Sequence, residues 1–179
     1  MGGIGVLHFV STKSGDKVTF FLSFITCWLV LGCVLATLLS SAGPCYTELL
    51  NSSYNYYTPL MLRLQEQNQW LQQNHLPDIW ALNIQNVLWH HFEARDQGIG
   101  SGISAMPSMH VSMAVLLALA VSALHRRWGY LAWGYALMIQ IGSVHLAWHY
   151  AVDGYVSTLL TVIIWRSIGW LTQKSEIPR

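Results

Sequence analysis

Long apolar runs, broken by short polar clusters, organise this chain. Val18–Leu39 is apolar at most positions, and three further apolar stretches follow late in the sequence: Met109–Leu124, Trp128–His145 and Ala151–Leu171. A hydrocarbon core of about 30 Å is crossed by about 20 apolar residues in helical form. The pattern therefore predicts an all-α protein, a polytopic membrane helical bundle of about four transmembrane helices. Trp128–Leu171 is too long for one crossing, and its reversal is placed around Ser143–His149, where polar residues gather. The first run has features of a signal peptide, with Lys13 and Lys17 before it and Ser40-Ser41-Ala42 after it. It exceeds the roughly 7–15 apolar residues of a signal sequence, which favours a retained helix.

Between the first and second spans lies a long outer segment, residues 42–106. Ile79, Leu82, Val87, Leu88 and Phe92 recur at helical spacing, and Asp78, following Pro77, is placed to cap that helix. Trp70, Trp80 and Trp89 point to short helices lying at a membrane surface. No internal repeat is visible, and residues 1–179 read as a single membrane domain.

Composition agrees with this pattern. Of 179 residues, 53% are hydrophobic and only 9% charged, against about 25% charged in soluble domains. A formal net charge of +1 offers nothing to nucleic acid as a partner. Cys27, Cys33 and Cys45 form no CxxC motif and predict no disulfide. Charge distribution then orients the spans. Four crossings put Lys13, Lys17, Arg126, Arg127, Lys174 and Arg179 on one side, with Arg166 near it, and leave Arg63 and Arg95 on the other. The excess of basic residues marks the first side as cytoplasmic. Removing the first helix would leave the later motifs together on one side.

Two polar clusters stand out against this background: Pro107-Ser108-Met109-His110, at the start of the second span, and His149-Tyr150-Ala151-Val152-Asp153, at the junction of the third and fourth. Ionisable groups at membrane depth mark functional sites by default. Both clusters fall at the same predicted face, opposite the cytoplasm. Pro107 suits the first turn of a helix, whose N-terminus carries free N–H groups suited to phosphate. Ser108 adds a hydroxyl, and His110 is placed to protonate a leaving oxygen. Gly98, Gly100 and Gly102 precede this turn and permit close approach of a ligand to the backbone. His149 and Asp153, four apart, share a face on a helix. The carboxylate is then expected to accept the Nδ1–H of His149, leaving Nε2 as a nucleophile able to form a phosphohistidine. His145 is expected one turn earlier on that face. The other histidines read as interfacial anchors.

On these residues the chain resembles the type 2 phosphatidic acid phosphatase superfamily. Gly102-Ile103-Ser104-Ala105-Met106-Pro107-Ser108-Met109-His110-Val111, His149-Tyr150-Ala151-Val152-Asp153 and the weaker Gly43-Pro44-Cys45-Tyr46 look most like its inositolphosphorylceramide synthase branch. The resemblance implies a helical membrane core with a lipid-phosphate site at the non-cytoplasmic face, toward the periplasm, exterior or an organelle lumen. It implies His149 as nucleophile, Asp153 as its partner, His110 as acid then base, and Ser108 as a phosphate contact, without cofactor or metal. The substrate is a lipid phosphate, and the phosphoryl group passes to water or to an alcohol such as inositol. The superfamily's first motif, a lysine with an Arg-Pro pair, is missing, and Ser143 stands where an arginine is usual. Phosphoryl transfer calls for cationic help. Arg63, Arg95 and a protonated His145 are the cations available on this face, and Arg95 is the expected substitute.

Two other readings follow from the same residues. His145, His149 and Asp153 form a ladder at i, i+4, i+8 that suits metal ligation on one helix. The missing cationic motif also fits a non-catalytic protein that binds phospholipid without turnover.

Overall fold

The computed structural model describes residues 14–51, 53, 55–94 and 104–175, and these hold helices and turns with no strand. The first helix, α1, runs as Ser14–Cys27 in α geometry, continues as a π-helix over Trp28–Leu35 and closes with Ala36–Leu38. A 3-10 turn at Pro44–Tyr46 leads into the short α2, Thr47–Leu50. The outer segment contributes α3 (Thr58–Gln73) and α4 (Trp80–Glu93). Three helices complete the chain: α5 (Met109–Leu124), α6 (Arg126–His145) and α7 (Ala151–Ser175). α5 packs against α6, α7 and α1, and α1 lies along α7.

Along α1, α6 and α7 small and polar residues share the inward face with apolar ones, while many bulky apolar side chains are exposed. α1 buries Thr19, Ser23, Cys27 and Leu31, one per turn. α7 buries Asp153, Ser157 and Thr161 at the same spacing, and α6 turns Gly129, Ala136 and Ser143 inward. Bulky apolar side chains point out, among them Phe21, Ile25, Leu29, Leu137, Ile141, Leu159 and Ile163. Small inward residues let backbones approach, and hydroxyls join helices where no water competes. Ser112 on α5 meets Thr161 on α7 at 2.7 Å, and Thr19 on α1 meets Thr172 at 2.9 Å. A smaller apolar centre of Val111, Val115, Ala118 and Ala136 ties α5 to α6.

Two stretches, Asp16–Leu38 and Ala151–Lys174, are long and apolar enough to cross a bilayer. Among the described residues, two of the four predicted spans meet this requirement. Met109–Leu124 is apolar but has 16 residues, or about 24 Å of helix at 1.5 Å per residue. α6 has 20 residues but opens on Arg126 and Arg127. It starts two residues before the predicted Trp128, because His125 (φ −148°, ψ 110°) is extended and ends α5. The reversal falls where predicted, between His145 and Ala151.

That reversal contains neither glycine nor proline. Ala147 adopts the left-handed conformation (φ 58°), which costs an alanine about 1–2 kcal/mol. The backbone holds it there. Ser143 O accepts from the N–H groups of Trp148 (3.1 Å) and His149 (3.3 Å), and Cys45 N–H donates to Ala147 O (3.0 Å). The Gly43–Tyr46 segment is thus seated on this turn. α4 is seated there too: Gln85 Nε2 donates to Leu146 O at 2.8 Å, the Tyr46 hydroxyl donates to Gln85 O at 3.1 Å, and Tyr46 stacks on Trp89. The helix predicted from Asp78 starts at Trp80, with Ile79 at the cap position and no side-chain cap. Asp78 instead accepts from the side chain of Asn83.

Candidate active site

The two polar clusters meet. The rings of His110, in the first turn of α5, and His149, in the turn before α7, lie 5.8 Å apart between centroids at 61°. Both border a cavity of about 230 Å³, which Gly32, Tyr46, Ala105 and Trp148 also line. Lys17, Arg126 and Lys174 belong to helix ends at the other end of the bundle, where Thr19 meets Thr172.

His149 is 6% exposed. Its Nδ1 lies 2.5 Å from the carbonyl oxygen of Ala105. A carbonyl oxygen only accepts, so Nδ1 carries the proton and Nε2 keeps its lone pair. Ala105 is itself fixed: its N–H donates to Ser41 O at 2.7 Å, and the hydroxyl of neighbouring Ser104 donates to Ala36 O at 3.0 Å. The end of α1 therefore positions the carbonyl that orients His149. Burial is the largest influence on this imidazole and pushes its pKa below the ordinary 6.5. The Ala105 hydrogen bond works against that fall, and the nearby His110 adds to it.

The sequence assigns this orienting role to Asp153, and here the structure corrects it. His149 lies outside α7, so the two residues do not share a helical face. Asp153 Oδ2 is 3.9 Å from Nδ1, too far for a hydrogen bond. It accepts instead from Tyr150 N–H at 2.7 Å. This is half of a capping box, in which an acidic side chain in the first turn holds the backbone N–H at the cap. Asp153 fixes the start of α7 and stands 3.9 Å from the imidazole without bonding to it. Asp153→Asn keeps an oxygen for the Tyr150 N–H and is expected to leave the fold's stability nearly unchanged. Asp153→Ala removes the cap and is expected to destabilise the fold by about 1 kcal/mol. Thermal melts of the two variants check both expectations.

Ser108 is also placed differently from the expected phosphate contact. It is fully buried at the N-cap of α5, where its Oγ accepts a long (3.5 Å) bond from Val111 N–H. Capping engages the hydroxyl, and Ser108 is not among the residues that line the cavity. His145 is exposed at the last residue of α6 and does not line the cavity, because the helix ends before it shares a face with His149. The ladder of His145, His149 and Asp153 is broken by the same interruption. Among the described residues no three His, Cys, Asp or Glu side chains are grouped to hold a metal ion. Arg95, Gly98, Gly100 and Gly102 lie outside the described residues. Ser143 is buried in α6 and contributes its carbonyl to the turn. Cys45, buried against Ala147, is no competing nucleophile, since burial pushes its thiol up to about 12.

Sequence reasoning missed the Ala105 carbonyl altogether. A backbone acceptor leaves no mark in residue identity. The nearest signal was Gly43-Pro44-Cys45-Tyr46, which proves to seat the His149 turn.

A family model described as the PAP2 superfamily matches residues 3–167 of the chain. No curated protein and no solved structure gives a significant match.

Proposed function

Because this chain belongs to the PAP2 superfamily, we propose that it is a membrane lipid phosphatase or phosphotransferase that works through a phosphohistidine on His149. The membership itself points to phosphoric ester chemistry, often on lipids. The observation that carries the finer reading is the pair of imidazoles at 5.8 Å across one cavity, with the Nδ1–H of His149 donated to Ala105. His149 Nε2 attacks phosphorus, and the bond from phosphorus to the leaving oxygen breaks as His110 delivers a proton to that oxygen. Water or an alcohol then attacks the phosphohistidine. His110 takes the proton of the incoming hydroxyl, and the P–N bond breaks to restore Nε2. No metal or cofactor enters these steps.

The many exposed bulky apolar side chains and the two crossing-length helices support a multi-pass membrane protein. The basic helix ends, Lys17, Arg126 and Lys174, lie opposite the two histidines, which supports a site at the non-cytoplasmic face. The inositolphosphorylceramide synthase branch, with inositol as acceptor, rests on the sequence of the two motifs and on Gly43-Pro44-Cys45-Tyr46.

The test is to offer purified full-length protein a panel of labelled lipid phosphates, with chelator present, with and without inositol. An acid-labile, base-stable phosphoenzyme is expected. Its absence with every lipid, or binding of lipid phosphate without turnover, would sink the catalytic reading.

The pH dependence follows from the depressed pKa of His149. A pKa lowered from 6.5 leaves Nε2 mostly unprotonated at pH 6.5, so the acid limb of phosphoenzyme formation is expected below that pH. A profile whose acid limb is centred above pH 6.5 would contradict the buried, carbonyl-bound imidazole.

A further inference from the structure

We propose that Gln85, on α4 of the outer segment, is a positioning residue for the nucleophile: its amide latches the left-handed turn that carries His149. The proposal rests on the reading of His149 as nucleophile and names what holds it in place. Gln85 is 3% exposed and is not among the residues that line the catalytic cavity. Its route to the reaction therefore runs through the turn. Its Nε2 donates to Leu146 O at 2.8 Å. A carbonyl oxygen only accepts, so the NH2 end of the amide must face Leu146. The Tyr46 hydroxyl donates to the main-chain oxygen of Gln85 at 3.1 Å, and Tyr46 stacks on Trp89 of the same helix at 5.6 Å and 19°.

The turn needs such a latch. The carbonyl after Leu146 O is Ala147 O, which accepts from Cys45 N–H at 3.0 Å. Two successive carbonyls are thus held from outside, one by α4 and one by the Pro44–Tyr46 turn. Between them stands Ala147 at φ 58°, a conformation that is strained for an alanine. His149 follows two residues later and bonds the Ala105 carbonyl. Loss of the Gln85 bond frees one of the two held carbonyls, lets the strained turn relax and loosens the imidazole from Ala105. The residue type points the same way. Leu82 and Trp89 share the inner face of α4 with Gln85, while Trp80, Val87 and Phe92 are exposed. An apolar side chain at position 85 would continue that inner face. The amide instead buries Oε1 with no hydrogen-bond partner among the described residues, which costs stability. Departures from polar satisfaction of this kind are expected where a residue serves a site.

The experiment compares the purified full chain with Gln85→Met, which keeps the length of the side chain and removes both the donor and the orphan oxygen. With a lipid phosphomonoester as substrate, kcat per folded molecule is expected to fall by about tenfold to hundredfold, as a small misplacement of a reacting group does, with KM unchanged. A spectroscopic arm reads the imidazole itself. In NMR of protein carrying isotope-labelled histidine, the His149 signal is the one lost in His149→Asn. It is expected as a single Nδ1–H tautomer in the wild type and as a mixture of tautomers in Gln85→Met. Gln85→Asn, whose amide is one methylene short of Leu146, gives the same two readings if the methionine variant fails to fold. A merely structural role would lower the melting temperature and leave both kcat per folded molecule and the tautomer as in the wild type. Wild-type kcat in the folded variant, a rise in KM alone, or an unchanged tautomer would each overturn the proposal. The tautomer is read without turnover. A protein that forms no phosphoenzyme, but whose single tautomer is lost in Gln85→Met, would sink the phosphoryl-transfer reading and leave the latch standing.

Discussion

Asparagine in place of His149 is expected to abolish phosphoenzyme formation and to lower turnover by at least about 10³-fold. The substitution is chosen to remove chemistry and keep structure. The Asn side-chain amide reaches about as far as Nδ1 and still donates to the Ala105 carbonyl, so the turn keeps its seat. What disappears is Nε2, the only atom of that side chain with a lone pair aimed at substrate. Replacing His110 by Asn separates the two roles. With an activated aryl phosphate, whose leaving group needs no proton, His110→Asn should recover most of its rate, and His149→Asn should recover none. A melt of each variant shows whether folding is intact. A His149→Asn protein with wild-type turnover would remove the nucleophile from the scheme.

Alanine at Gly43 is expected to lower turnover by about 10²-fold without touching a reacting group. A Cβ there would sit 2.3 Å from the carbonyl oxygen of Trp148. Backbone stands on both sides of the contact, so the clash is relieved only by moving the Gly43–Tyr46 segment off the turn that carries His149. Overpacking of this kind costs about 1–3 kcal/mol, and a shift of about 1 Å at the nucleophile costs about 10²-fold in rate. Gly142→Ala is the control, since a Cβ at that position meets nothing within 4 Å. Rates and melting temperatures of the two variants, measured side by side, should differ by these amounts. Equal behaviour would mean that the segment does not position the turn.

The helices were largely legible from hydrophobic runs, because uninterrupted apolar sequence leaves the backbone few other ways to satisfy its polar groups. Their inward faces follow the same logic: Thr19, Ser23 and Cys27, or Ser157 and Thr161, recur one turn apart within otherwise bulky sequence. The meeting of His110 and His149 was legible from the placement of both motifs at helix ends on one face. Partner assignments were not. The spacing of His149 and Asp153 matches a shared helical face, but the helix begins at Ala151, and that boundary depends on a left-handed alanine no pattern marks. Ser108 read as a ligand because a hydroxyl at a helix start serves phosphate and capping equally well, and only three-dimensional burial separates the two. Span counting also ran ahead of the chemistry, since α5 is short and α6 opens on two arginines.

The acceptor for the Nδ1 proton of His149 belongs to the main chain of residue 105, so no codon change can delete it. Drift at that position alters a methyl group and spares the tautomer. What selection must guard instead is the path of the strand of chain from Ser104 to Pro107, held by Ala36 and Ser41. A displacement of that loop would therefore disturb the tautomer, whereas a change of side chain at residue 105 leaves the acceptor in place.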